Sequence, residues 1–135
     1  LGTAMIKTGI AANVSHIFVN VFKPYGIVSI MFGIFIITNL LAAIITNKAA
    51  VAIVFPIAVN LALELAVDPR PFALLVAFAG AASFITPIGY QTNLMVYGPG
   101  RYNFRNFMKI GLPLTILFMI VTVFVLTLQF NLSIN

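Results

Sequence analysis

The sequence predicts an all-α, polytopic membrane protein with a re-entrant helical hairpin and a discontinuous transmembrane helix. Three observations carry that prediction. First, 62% of the 135 residues are hydrophobic and 7% are charged, with a mean hydropathy of +1.16, whereas soluble domains carry about 25% charged residues. Second, Pro24–Asn47, Pro71–Gly100 and Ile110–Asn135 contain no charge at all, and windows of about 18 apolar residues read as membrane spans. Third, two polar clusters, Thr46–Lys48 and Thr86–Asn93, interrupt the apolar pattern. An apolar soluble core would need polar helix faces, and these stretches have none.

The elements follow in order. Residues 4–22 predict one mildly polar helix carrying Lys7, Asn13, Ser15, His16 and Asn20, interfacial or packed in protein, which Lys23-Pro24 ends because proline lacks the amide hydrogen and restricts its predecessor. A hairpin covers about 25–67: an apolar helix from Tyr25 to Ile45, the cluster Thr46-Asn47-Lys48, then a second helix from Ala49 to about Val67 with Pro56 inside it. Asp68-Pro69-Arg70-Pro71 is a turn. A broken helix covers about 71–100. Its first part, Pro71–Ile85, is rich in the Ala and Gly that suit close packing in membranes, and Gly98-Pro99-Gly100 ends it. The final span covers about 108–130, long enough to cross a bilayer at about 1.5 Å per residue.

Composition excludes several function classes. There is no cysteine and one histidine, His16, so cysteine-based metal sites are ruled out and a catalytic acid–base cluster is not supported. The net charge of +5 is scattered, which suits membrane edges and gives no support to a nucleic-acid partner. The apolar helices lack the continuous polar stripe a channel needs. The chain begins at Leu1 and reads as a piece of a longer protein without a signal peptide.

Chemistry concentrates at the two breaks. Backbone groups released from a helix cannot face lipid, so such breaks occur only where protein or a wet cavity covers them. Transporters use them near the bilayer midplane, where half-helix N-termini face anions and freed carbonyls coordinate sodium. Threonine hydroxyls and asparagine amides add neutral oxygens and N–H donors. Thr46-Asn47 alone reads equally well as a helix cap; two breaks in one apolar chain favour binding. Glu64 and Asp68, the only acidic residues, lie near a helix end and read as solvated, and His16 as packed or interfacial. A sodium-type site of neutral oxygens is therefore favoured over a proton relay. Lys48 has two readings: a membrane-edge lysine snorkelling to water, or a fixed charge beside an anion, standing in for one coupling cation. Arg101, Arg105 and Lys109 predict a cytoplasmic start for the last helix.

The segment SFITPIGYQTNLMVYGPGRYNFRNFMKIGLPL, with ITNKAAVAIVFPIA upstream, resembles the divalent anion/sodium symporter family over essentially the whole chain. The resemblance implies a second inverted-topology repeat, a missing first repeat as partner, a homodimer with elevator-like motion, and residence in the plasma (inner) membrane. It implies secondary active transport, with sodium-coupled symport of sulfate or a dicarboxylate, sodium being the coupling ion and no cofactor being needed. Sodium-independent exchange, or a channel-like or structural membrane subunit, is the alternative. The implied substrate-binding residues are Thr46, Asn47, Lys48, Thr86, Pro87, Thr92 and Asn93. Carbonyls near Ile45 and Ile85, with Asn47, Thr86 and Gly89, form the implied sodium set. Lys48 departs from the family, where Thr or Asn is usual at this position.

Overall fold

The computed structural model describes residues 2–88 and 91–130, which form helices and no strand. Where one helix is predicted over 4–22, two form: α1 (Gly2–Lys7) and α2 (Ile10–Phe22). Gly9 separates them with φ 69°, a left-handed conformation that ends helices and that glycine adopts without a Cβ penalty. The Thr8 hydroxyl closes the first helix by donating to the Ala4 carbonyl at 2.8 Å.

A short turn at Lys23–Tyr25 leads into α3 (Ile27–Ile44). One face of α3, with Ile30, Met31, Ile34, Phe35, Thr38 and Ala42, is buried, while Ile36, Ile37, Leu40 and Ile44 are exposed. After Ile45 and Thr46, α4 (Asn47–Glu64) packs back against α3. Thr46 caps it, its Oγ1 accepting from the Ala49 N–H at 3.3 Å. The helix ends in a Schellman arrangement, with the Val67 N–H bonded to the Ala62 carbonyl and the Ala66 N–H to the Leu63 carbonyl. Ala66 stands at φ 55°, where glycine is the usual residue.

Asp68 starts α5 (Pro69–Ala81), its Oδ1 accepting from the Arg70 N–H at 2.9 Å. Asp68 is exposed, as the sequence pattern reads it, and also caps the helix. The helix ends at Ala81, short of the predicted Ile85. Pro87 offers no N–H to the Ser83 carbonyl and disfavours helix at Thr86, and residues 82–88 are non-helical. Next come α6 (Gln91–Tyr97) and α7 (Phe104–Gln129). The last helix begins before the predicted Met108 because the Asn103 carbonyl accepts from the N–H groups of Asn106 and Phe107.

Helices α2, α3 and α5 surround α4, and α7 lies across α3 and α5. Phe118 of α7 joins them, its ring 6.4 Å from Phe35, 6.4 Å from Phe78 and 6.1 Å from Phe84. Three helices, α3, α4 and α7, are long and apolar enough to cross a membrane. On α7 the side chains of Ile110, Leu117, Phe124 and Leu128 are exposed, a surface that water would not tolerate and hydrocarbon does. The chain is an all-α integral membrane protein.

Candidate functional site

Two polar side chains, Asn39 and Thr86, tie the two interruptions together, and two more, Asn93 and Thr46, satisfy each one locally. Asn39, buried on α3, donates through Nδ2 to the Ala79 carbonyl at 3.2 Å and to the Ala82 carbonyl at 2.7 Å. These acceptors lie in the last turn of α5, where carbonyls lose their intrahelical partners. Thr86 donates through Oγ1 to the Ala43 carbonyl at 2.9 Å, an acceptor in the last turn of α3. Asn93 of α6 donates back to the Ser83 carbonyl at 3.1 Å and to the Thr86 carbonyl at 3.5 Å. The fourth, Thr46, caps α4. In this way the Ala43, Ala79, Ala82, Ser83 and Thr86 carbonyls, freed by the breaks, find donors inside the protein, as a low-dielectric setting requires.

Close backbone approach makes this possible. A Cβ on Gly80 would stand 2.4 Å from Val51 Cγ2 and 3.7 Å from the Asn47 carbonyl oxygen, so glycine lets α5 lie against the start of α4. A Cβ on Gly111 would stand 2.0 Å from the Phe84 carbonyl oxygen, so glycine lets α7 lie on the unwound stretch.

Three of the sequence-predicted residues line two clefts, and Ile45, Thr46, Ile85, Thr86, Pro87 and Thr92 line neither. Asn47 and exposed Lys48 line one of about 840 Å³ between α4 and α5, with Val51, Phe55, Ala77 and Gly80. Asn93 lines a second of about 300 Å³ with Phe84, Tyr102, Asn106 and Gly111. Pro87 is buried, Ile85 and Thr86 are half-buried, Thr92, Thr46 and Ile45 are exposed, and Thr92 lines neither cleft. Gly89 lies outside the described residues. The Asn47 Oδ1 atom is buried and takes no hydrogen bond among the described residues, an oxygen suited to a bare cation. Pro56 lines the larger cleft beside Ala52, whose carbonyl it leaves without an intrahelical N–H.

Sequence reasoning missed Asn39. Its signal was available: an asparagine inside an apolar helix must find a partner, and Thr38-Asn39 repeats the pair seen at Thr46-Asn47 and Thr92-Asn93. Glu64, read as solvated, pairs with His16, its Oε1 lying 2.6 Å from His16 Nδ1. Among the described residues no group of three or more His, Cys, Asp or Glu could hold a metal, so the oxygens on offer are those of amides, hydroxyls and carbonyls.

Comparison with known proteins decides the family. The citrate transporter (CitMHS) family model matches residues 1–134. The chain belongs to the citrate transporter family. Members are transporters and not enzymes, in keeping with the resemblance to divalent anion/sodium symporters. This citrate transporter family chain is 39% identical over 122 residues to Uncharacterized transporter sll0640 of Synechocystis, covering 90% of this chain and 20% of that protein. It is 35% identical over 127 residues to Sodium/sulfate cotransporter 1 of Chlamydomonas reinhardtii, covering 93% of this chain and 14% of that protein. It is also 35% identical over 127 residues to Uncharacterized transporter YfbS of Escherichia coli, covering 94% and 21%. The chain thus spans about a fifth or less of the length of these relatives. No solved structure matches it.

Proposed function

We propose that the full-length protein is a secondary active transporter that couples sodium to the uptake of a small divalent anion, sulfate or a dicarboxylate. This chain supplies one half of the binding site, and the first repeat of the same protein supplies the other. The observation that carries the reading is the Thr86 hydroxyl bound to the Ala43 carbonyl, which holds one helix interruption against the helix that leads into the other. Two unwound stretches held against each other in an apolar chain offer sodium and an anion neutral oxygens and N–H groups where lipid would offer none.

Thr46, Asn47, Lys48, Thr86, Pro87, Thr92 and Asn93 form the anion half-site. Sodium is held by Asn47, Thr86, Gly89 and the carbonyls near Ile45 and Ile85. The buried, unpaired Oδ1 of Asn47 supports the cation part of this reading. Relatives named as sodium/sulfate cotransporters support sulfate, and the family model's name adds citrate. The larger cleft, walled by small residues of α5, takes the first repeat, the working unit is a homodimer, and it resides in the plasma (inner) membrane.

Lys48 favours a second reading, sodium-independent exchange. Its charge sits in the first turn of α4, beside the positive end of the helix dipole, where a cation is unfavourable and an anion is welcome. A tethered cation at that position takes the place of one mobile ion.

Uptake of labelled sulfate and succinate by the full-length protein in liposomes, with an inward sodium gradient or with choline, separates the readings. Sodium-driven accumulation is the expected result. Uptake indifferent to sodium but dependent on an anion loaded inside would establish exchange instead.

A further inference from the structure

Two buried threonines of this bundle donate to a carbonyl one turn back. Thr38 donates to the Ile34 carbonyl and Thr127 to the Val123 carbonyl, each at 2.7 Å. Two buried hydroxyls do not. Ser83 is 1% exposed and Thr115 7% exposed, and neither oxygen has a hydrogen-bond partner among the described residues. An unpaired buried hydroxyl is destabilising inside a membrane protein unless something completes it.

Both border one seam. Ser83 belongs to the unwound stretch that follows α5. On α7, Gly111 abuts the Phe84 carbonyl and Phe118 meets the Phe84 ring edge-on. Thr115 is four residues after Gly111 and three before Phe118, on the same helical face, and so lies over the same stretch. The Phe84 carbonyl, aimed at Gly111, accepts no hydrogen bond among the described residues. Ser83, Phe84 and Thr115 therefore all belong to the two segments that meet at this seam, and no N–H group among the described residues is assigned to these three oxygens. Asn93, which fixes the Ser83 carbonyl, also lines the adjoining cleft of about 300 Å³, a route of entry. Lys109 is exposed on the far side of α7 from Gly111.

We propose that Ser83 Oγ, Thr115 Oγ1 and the Phe84 carbonyl form a second monovalent-cation site, between the broken helix and the last helix, that binds sodium. A set made only of neutral oxygens suits a small hard cation, as hydroxyl and carbonyl oxygens do at other helix breaks in membranes. The inference rests on the sodium-coupled reading above and adds an ion to it, at residues distinct from Asn47 and Thr86.

The test uses the purified full-length transporter and follows its thermal unfolding across a sodium titration with choline balance, for wild type, Ser83→Ala, Thr115→Val and Thr115→Ser. Each lost hydroxyl is expected to raise the sodium concentration for half-maximal stabilisation about tenfold, with Thr115→Ser staying near wild type. Midpoints without sodium should be unchanged or higher, because an unpaired hydroxyl has been removed. If Ser83→Ala and Thr115→Val lower the sodium-free midpoint and leave the sodium titration unmoved, the hydroxyls are structural and the site does not exist. If sodium fails to stabilise even the wild type, the coupled-transport reading falls together with this one.

Discussion

The hydroxyl of Thr86 and the carbonyl of Ala43 meet at 2.9 Å, joining positions 43 residues apart across the two interruptions of the fold. Replacing Thr86 with valine keeps the volume and removes the donor. It should lower stability by about 0.5–1.5 kcal/mol, the range for a hydrogen bond lost at a half-buried site, and abolish uptake, while Thr86→Ser retains most of both. Thermal melting and uptake of the full-length protein check this; a valine variant that transports normally would rule out a role for the bond.

Asn39 gives a second prediction, at a residue set apart from the proposed ligands. Asn39→Leu leaves the Ala79 carbonyl without its donor and the Ala82 carbonyl with the Phe84 N–H alone, and should destabilise by about 1–3 kcal/mol. Asn39→Asp should not rescue, since a carboxylate donates no N–H. Equal melting midpoints for wild type and the leucine variant would show that these carbonyls are satisfied otherwise.

Gly111 tests the close approach of α7. A methyl group there collides with the Phe84 backbone, which cannot swing aside as a side chain can. Gly111→Ala should therefore lose about 1–3 kcal/mol, far more than Gly98→Ala, whose added Cβ meets nothing within 4 Å.

Ala66 offers a change in the opposite direction. It holds the left-handed position that closes α4, where an L side chain is disfavoured by roughly 1–2 kcal/mol. Ala66→Gly should raise stability by about 0.5–1 kcal/mol without altering uptake, read from the melting midpoint.

Lys48→Asn separates the two readings of that lysine. If its charge serves the anion, KM for sulfate should rise about tenfold and the sodium dependence should steepen as a mobile ion replaces the fixed one. An unchanged KM and an unchanged sodium curve would leave Lys48 a membrane-edge residue.

Much of the architecture was legible in the sequence because the bilayer imposes so blunt a rule. Uncharged windows marked the helices, and Thr46 and Thr86-Pro87 marked their interruptions. What escaped was local or long-range. The Gly9 break depends on a single φ value that composition does not reveal. The carbonyls left over where α5 ends are taken up by Asn39 from 40 and 43 positions away, and no periodicity encodes such a partner. The pairing of His16 with Glu64 is likewise set by the packing of α2 on α4. The proposed site was read from residue types; which oxygens are already engaged and which are left over emerges only once the helices pack.

The shortness of α5 has an electrical consequence. Its 13 residues rise about 20 Å; with exposed Asp68 and Arg70 placed at the polar boundary, it would unwind about two-thirds of the way through a hydrocarbon layer about 30 Å thick. A cation arriving at that depth from the side where α5 begins crosses a similar fraction of the voltage drop. At about 2.3 kcal/mol per charge per 100 mV for the full thickness, its occupancy there shifts by about 1.5 kcal/mol per 100 mV, so resting potential alone would tune how readily such an ion loads.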